Sequence, residues 1–263
     1  MGMDIRFCGS DDQANPSGGL CDEYRVSDIT DIAQLVEAAR GLVADRPGYR
    51  PLLSLDDFGQ ARYTSGHAVG NLDLDDTEGA DLSALPPECF EDGAHRGYLS
   101  SKAEFPIRAA NFARHADGAS FEEACRFGLT LDAEAREEWI GYQDDPVALL
   151  DPPVSVLLVP AVHGEEALAA FPNGYFTSDL NPALNAAVAC HFRQAHGYEL
   201  IGVGAAYLGL WRDMPAEGAA LDAVVQDLQT LYNAPEEGDW ANFRPRAIAA
   251  LSGRSHLWLR YVE

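Results

Sequence analysis

The densest run of residues able to do acid–base or binding chemistry lies between Gly174 and Glu199. It holds Tyr175, Asp179, Asn181, Asn185, His191, Arg193, His196 and Glu199, and Arg212 follows shortly after. A general acid or base is a titratable group held beside its substrate, and histidine is the natural one near neutral pH. If this segment folds back on itself, Tyr175, Asp179, Asn185, His191, Glu199 and Arg212 would line a small-molecule pocket. The same residues have plainer uses. Asn181 stands where a helix cap belongs. His191 lies on an apolar stripe, as a hydrogen-bonded core histidine would, and Glu199 has Arg193 and Arg212 as ion-pair partners.

A second cluster is the acidic run Asp73-Leu74-Asp75-Asp76-Thr77-Glu78-Gly79-Ala80-Asp81. Clustered carboxylates suit hard cations. Measured against the EF-hand loop, however, the glycine falls one place late, and Ala84 stands where the bidentate glutamate belongs. The expectation is a solvated acidic loop whose Asp73, Asp75, Asp76, Glu78 and Asp81 could meet a basic protein. His163-Gly164-Glu165-Glu166 has no second histidine at zincin spacing. Ser65-Gly66-His67 makes no nucleophile elbow, Gly202-Val203-Gly204 makes no dinucleotide cradle, and no P-loop occurs. Five cysteines (Cys8, Cys21, Cys89, Cys125, Cys190) form no CxxC pair and read as reduced structural thiols. No metal site and no cofactor are expected.

Positioning these residues falls to a series of elements. The first twenty residues read as one short strand and a loop rich in turn formers. Ile29, Ile32, Leu35, Val36, Ala39, Leu42 and Val43 recur at helical spacing, and Tyr49–Leu55 follows as a strand. Residues 63–95 lack Lys and Arg and predict a long surface loop. Two helical patterns come next: one opened by the capping box Ser120-Phe121-Glu122-Glu123, the other running from Asp132 to Tyr142. Val154–Pro160 is a continuous apolar run, hence a central strand. Asn181-Pro182 opens a helix that Gly197 ends. Strands Tyr198–Val203 and Ala206–Trp211, a helix from Pro215, a short helix Arg246–Leu251 and a strand His256–Val262 complete the chain.

The order from residue 151 is strand, helix, strand, strand, helices, strand, which predicts a ferredoxin-like split βαβ arrangement. The expected fold is therefore α+β, with an antiparallel or mixed sheet and helices on one face. It comprises a C-terminal module over 151–263 and an acidic α+β extension over 1–150.

Charge bounds the partners. There are 18 basic and 42 acidic residues, a net −24, of which residues 1–150 carry −17 and residues 151–263 carry −7. Such a field repels phosphate backbones and anionic membranes, so no nucleic acid and no membrane partner is expected. The N-terminus has no signal-peptide pattern and no apolar run is long enough to span a bilayer, so the expected location is the cytoplasm.

Phe171 to Arg212, FPNGYFTSDLNPALNAAVACHFRQAHGYELIGVGAAYLGLWR, resembles the bacterial family known as domain of unknown function 4253. The matching pieces are Val154–Pro160, Gly174-Tyr175-Phe176, Pro182–His196, Gly197-Tyr198-Glu199-Leu200 and Tyr207–Arg212. Tyr175-Phe176 stands where that family more often has Trp-Asn, and Ser178-Asp179 where it more often has Cys-Pro. The resemblance implies a fold-sized module over about residues 150–263 and carries no established activity. Together these readings predict a non-catalytic, acidic interaction protein, of immunity type or otherwise, with a basic protein as partner. The competing expectation is a small-molecule-binding or hydrolytic site on the Gly174–Glu199 surface.

Overall fold

A strand that is apolar almost throughout can satisfy its backbone only between two neighbours in a covered sheet, and Val154–Pro160 does this. A computed structural model describes residues 2–234 and 239–262. In chain order its strands are β1 (Asp4–Gly9), β2 (Asp22–Ser27), β3 (Tyr49–Ser54), β4 (Phe90–Glu91), β5 (Ala94–His95), β6 (Val154–Pro160), β7 (Glu199–Val203), β8 (Tyr207–Trp211) and β9 (His256–Arg260). The helices are α1 (Ile32–Leu42), α2 (Phe58–Asn71), α3 (Phe105–Ala116), α4 (Phe121–Phe127), α5 (Ala133–Asp144), α6 (Pro182–His196), α7 (Gly218–Leu231) and α8 (Asp239–Leu251). The fold is α+β, and no helix among the described residues is long and apolar enough to cross a membrane.

Seven strands form one mixed sheet in the order β1-β2-β6-β3-β7-β8-β9, with β3 and β7 parallel and every other neighbour antiparallel. Two expectations are corrected here. The split βαβ order is not what assembles, because β3 inserts between β6 and β7 and β9 pairs with β8 at the sheet's end. Helices on one face would leave the other wet, yet Val154, Val156 and Leu158 on one side of β6 and Ser155, Leu157 and Val159 on the other are all buried. The sheet draws strands from both sides of residue 150, so the acidic and less acidic regions share one core.

Local signals place the helices. Asp31 caps α1 by accepting from Ala33 N (2.7 Å) and Gln34 N (3.2 Å), which aims Ile32, Leu35, Val36 and Ala39 inward. The capping box at Ser120 and Glu123 forms as read, and Asp132 caps α5. Residues 63–71, expected in the long loop, are instead the end of α2, whose inward residues Ala61, Thr64, Ser65 and Ala68 are too small and polar to show a hydrophobic stripe.

One edge of the sheet is sealed from the side. On β9, the Gln143 amide donates to Trp258 O (3.0 Å) and accepts from Trp258 N (3.1 Å), while Trp139 Nε1 also donates to Trp258 O (2.8 Å). His256 lies beside them, buried, with Nε2 within hydrogen-bond reach of Gln143 O (3.1 Å). Burial pushes its pKa down from 6.5 to about 4. Below pH 6.5 the unfolded chain therefore takes up a proton that the native imidazole refuses. That contribution to stability is lost as pH falls from 6.5 towards 4, a cost of about 3 kcal/mol. Denaturant melts of His256→Gln should lose this part of the pH dependence; an unchanged profile would show that His256 is not its source.

Candidate metal centre

Of the six residues expected to share a pocket, Asp179 and Asn185 meet at one turn and the other four are dispersed. Asn185 is fully buried and donates through Nδ2 to Asn173 O (2.9 Å) and Leu180 O (3.1 Å), fastening the 173–180 turn to α6. Asp179 closes the same turn by accepting from Phe176 N (3.1 Å), and burial raises its pKa. Gly174 lies beneath, at φ +108° and so close to Leu180 O that a Cβ would stand 1.9 Å away. Tyr175 points elsewhere, against His67 (ring centroids 4.8 Å), which also meets Tyr63 (4.4 Å). Glu199 lies near Gly164 N at the opposite end of α6 (3.4 Å), and the Arg212 guanidinium sits over the Tyr198 ring (5.4 Å). Glu165 of the His-Gly-Glu-Glu segment forms a bidentate pair with Arg193 (2.6–3.1 Å).

The acidic run is held rather than loose. Arg108 grips Asp75 with two bonds (2.6 and 2.8 Å) and also donates to Ser17 O. Asn111 donates to Leu74 O and Asp76 O (both 2.8 Å), and the His115 ring reaches Leu72 O (2.7 Å). Asp76 and Asp81 accept from Glu78 N and Ser83 N, which are turn contacts. Asp73, Asp76, Glu78 and Asp81 stay exposed, whereas Asp75 is occupied.

His191 is the one member of the expected pocket that joins a new chemical grouping. Asn181 and Pro182 start α6 and Gly197 ends it with a left-handed cap, so His191 and His196 project from its last turns beside α7. On α7 the stripe Leu221, Val224, Val225, Leu228 and Leu231 faces the core, which leaves Asp227 on the flank towards α6. Both imidazoles converge on one carboxylate oxygen: His191 Nε2 lies 2.6 Å and His196 Nε2 2.7 Å from Asp227 Oδ2. His191 is further fixed by stacking on Phe121 of α4, with centroids 3.8 Å apart and planes within 2° of parallel. The His196 side chain is 8% exposed, that of His191 29% and that of Asp227 26%, so the group is sheltered but reachable.

Burial alone would raise the Asp227 pKa. The hydrogen bonds and charge of His191 and His196 outweigh it and hold the carboxyl well below the usual carboxylate range. Asp227 is thus an anion at any physiological pH. Cys125 lies one turn along α4 from Phe121; burial, followed by the Asp227 charge, pushes its pKa up to about 11, so it stays a thiol.

One donor atom from each of His191, His196 and Asp227 lies within 4.8 Å of the other two. Two imidazole nitrogens and a carboxylate form the ligand chemistry of zinc and of other borderline divalent ions, which bind three such groups and keep an open position. Sequence reasoning placed both histidines in a polar set and expected no metal site. It missed the group because His191 and His196 are five residues apart, outside the familiar HxxxH spacing, and because Asp227 arrives from another helix. The available signal was weak, since Asp227 is one of two aspartates beside the apolar stripe of α7. Neither a protein-family model, nor a curated protein, nor a solved structure matches this chain.

Proposed function

We propose that this protein binds a divalent transition metal, with zinc as the best fit, through His191, His196 and Asp227. The convergence of two imidazole nitrogens and one carboxylate oxygen, all within 4.8 Å of one another, carries the reading. In the metal-free protein each Nε2 donates its proton to the carboxylate; on metal binding each would give up that proton and offer its lone pair, with the remaining ring proton on Nδ1. Metal and protons compete for these nitrogens, so affinity falls on acidification. Three ligands would leave one position for water or substrate. The test is calorimetric titration of zinc into chelator-treated protein. One ion per chain should bind, and His196→Gln should weaken binding at least about tenfold, the scale on which even outer-shell partners matter. Equal binding by the variant would refute the assignment and leave the three residues as a clamp between α6 and α7.

A second reading rests on the pinned acidic loop. Because α3 holds its backbone, Asp73, Asp76, Glu78 and Asp81 form a pre-ordered anionic surface suited to a basic protein. Capture of such a partner should fall steeply with salt. The fourfold change to Asn at these positions should lower partner retention, whereas Asp75→Asn should instead destabilise the loop by freeing Arg108. Unchanged retention by the fourfold variant would remove this reading.

A further inference from the structure

The two edges of the seven-stranded sheet are treated differently. The β9 edge is closed by Gln143 and Trp139, and beyond it Leu180 N donates to Tyr261 O (2.9 Å). At the other edge, among the described residues, nothing outside β1 and β2 hydrogen-bonds to the backbone of residues 4–9. An open strand edge is a template for another strand unless charge, proline or a covering segment blunts it. β1 has no proline, its charges Asp4 and Arg6 are of opposite sign, and its register shift against β2 falls only at the Phe7–Gly9 end; Asp4, Ile5, Arg6 and Phe7 are all exposed, Ile5 by 38% and Phe7 by 57%. Ile5 and Phe7 share a face two residues apart, and Phe7 leans on Tyr24 of β2 (centroids 4.9 Å). Asp4 and Arg6 have no ion-pair partner among the described residues.

We infer that β1 is a self-association edge: two copies pair β1 antiparallel about a twofold axis, with Ile5 opposite Ile5 and Asp4 opposite Arg6. Among registers centred within Asp4–Arg6, charge selects one. Alternate residues of an edge strand turn their N–H and C=O outward, so a twofold pairing must oppose residues of like parity. Centring on residue 4 sets Asp4 against Asp4, and centring on residue 6 sets Arg6 against Arg6; both are repulsive. Centring on Ile5 instead forms two Asp4–Arg6 pairs, brings the two isoleucines together and sets Phe7 against Met3. Each chain carries −24, and at physiological salt that repulsion is screened beyond about 8 Å, leaving the contact pairs to decide.

Sedimentation equilibrium across a concentration series at 0.15 M salt, roughly the physiological ionic strength, provides the test. The native chain should show a monomer–dimer equilibrium. Arg6→Asp or Asp4→Arg alone should raise its dissociation constant about tenfold, since two attractive pairs become repulsive. The double variant Asp4→Arg/Arg6→Asp should restore the native value. In a Cys8→Ser background, Ile5→Cys should form an interchain disulfide on oxidation. A chain that stays monomeric at its highest soluble concentration would overturn the inference. So would a dimer indifferent to both single reversals, or one that the double variant fails to restore. Asp4, Ile5 and Arg6 are exposed and Cys8 is half-buried, and an unchanged circular dichroism spectrum confirms that each variant is folded.

Discussion

Saturating zinc should raise the melting temperature of the chelator-treated protein, and Asp227→Asn should abolish most of the rise. A ligand that binds only the folded state stabilises it by about 4 kcal/mol at a thousand times its dissociation constant. In a chain of 263 residues that corresponds to a shift of roughly 8–16 °C. The aspartate is the sensitive position because it supplies the only negative charge among the three ligands and receives both imidazoles on one oxygen. Asparagine keeps the shape and can still accept one of those bonds, so the variant should fold without metal. Its loss should appear in the zinc-dependent part of the melt rather than in the metal-free baseline. A zinc shift of equal size in both proteins would place the ion elsewhere.

The second large effect concerns the sealed edge of the sheet. Gln143 is fully buried and does the work of a neighbouring strand for Trp258, giving one bond and accepting another. Leucine at this position would keep the apolar packing but leave Trp258 N without a partner in a dry site; Trp258 O would keep Trp139. An orphaned buried N–H costs about 1–3 kcal/mol, and the lost bond to the carbonyl adds about 1. Gln143→Leu should therefore lose about 3 kcal/mol in urea unfolding, and Gln143→Glu should fall between it and the native protein at acid pH, where a protonated carboxyl can still donate. A loss below half a kilocalorie would mean that water can replace the amide, against the burial of the site.

What the sequence made legible follows from where polar residues went. β6, α6, the β7–β8 pair and α7 were readable because their burial is almost wholly apolar, with periods of two or 3.6 that leave a plain trace. β2 was not, since its inward positions carry Glu23, buried and paired with Arg25 (2.5 Å) and Ser155 (2.7 Å). Its chain DEYRVS therefore looks like surface. α3 escaped for the same reason: its buried face includes Arg108 and Asn111, which hold the acidic loop rather than a hydrophobic core. The insertion of β3 between β6 and β7 has no local signature, because strand order is set by long-range packing. At the candidate site, the histidines stood out by type, but their partner on α7 did not, since convergence of two helices is a tertiary fact.

The charge division survives in altered form. The acidity of residues 1–150 does not mark a separate appendage: β1, β2 and β3 from this region build the same sheet as β6 to β9. The region's exposed acids are spread over α1, α4 and α5 as well as the loop that α3 holds in place.

The most direct test of the central assignment is X-ray diffraction from zinc-loaded crystals with data collected at the zinc absorption edge. One strong anomalous peak should appear between α6 and α7, bonded to His191 Nε2, His196 Nε2 and an Asp227 oxygen at about 2.0–2.2 Å. Absence of that peak with zinc in excess, or a peak held by other residues, would contradict the assignment.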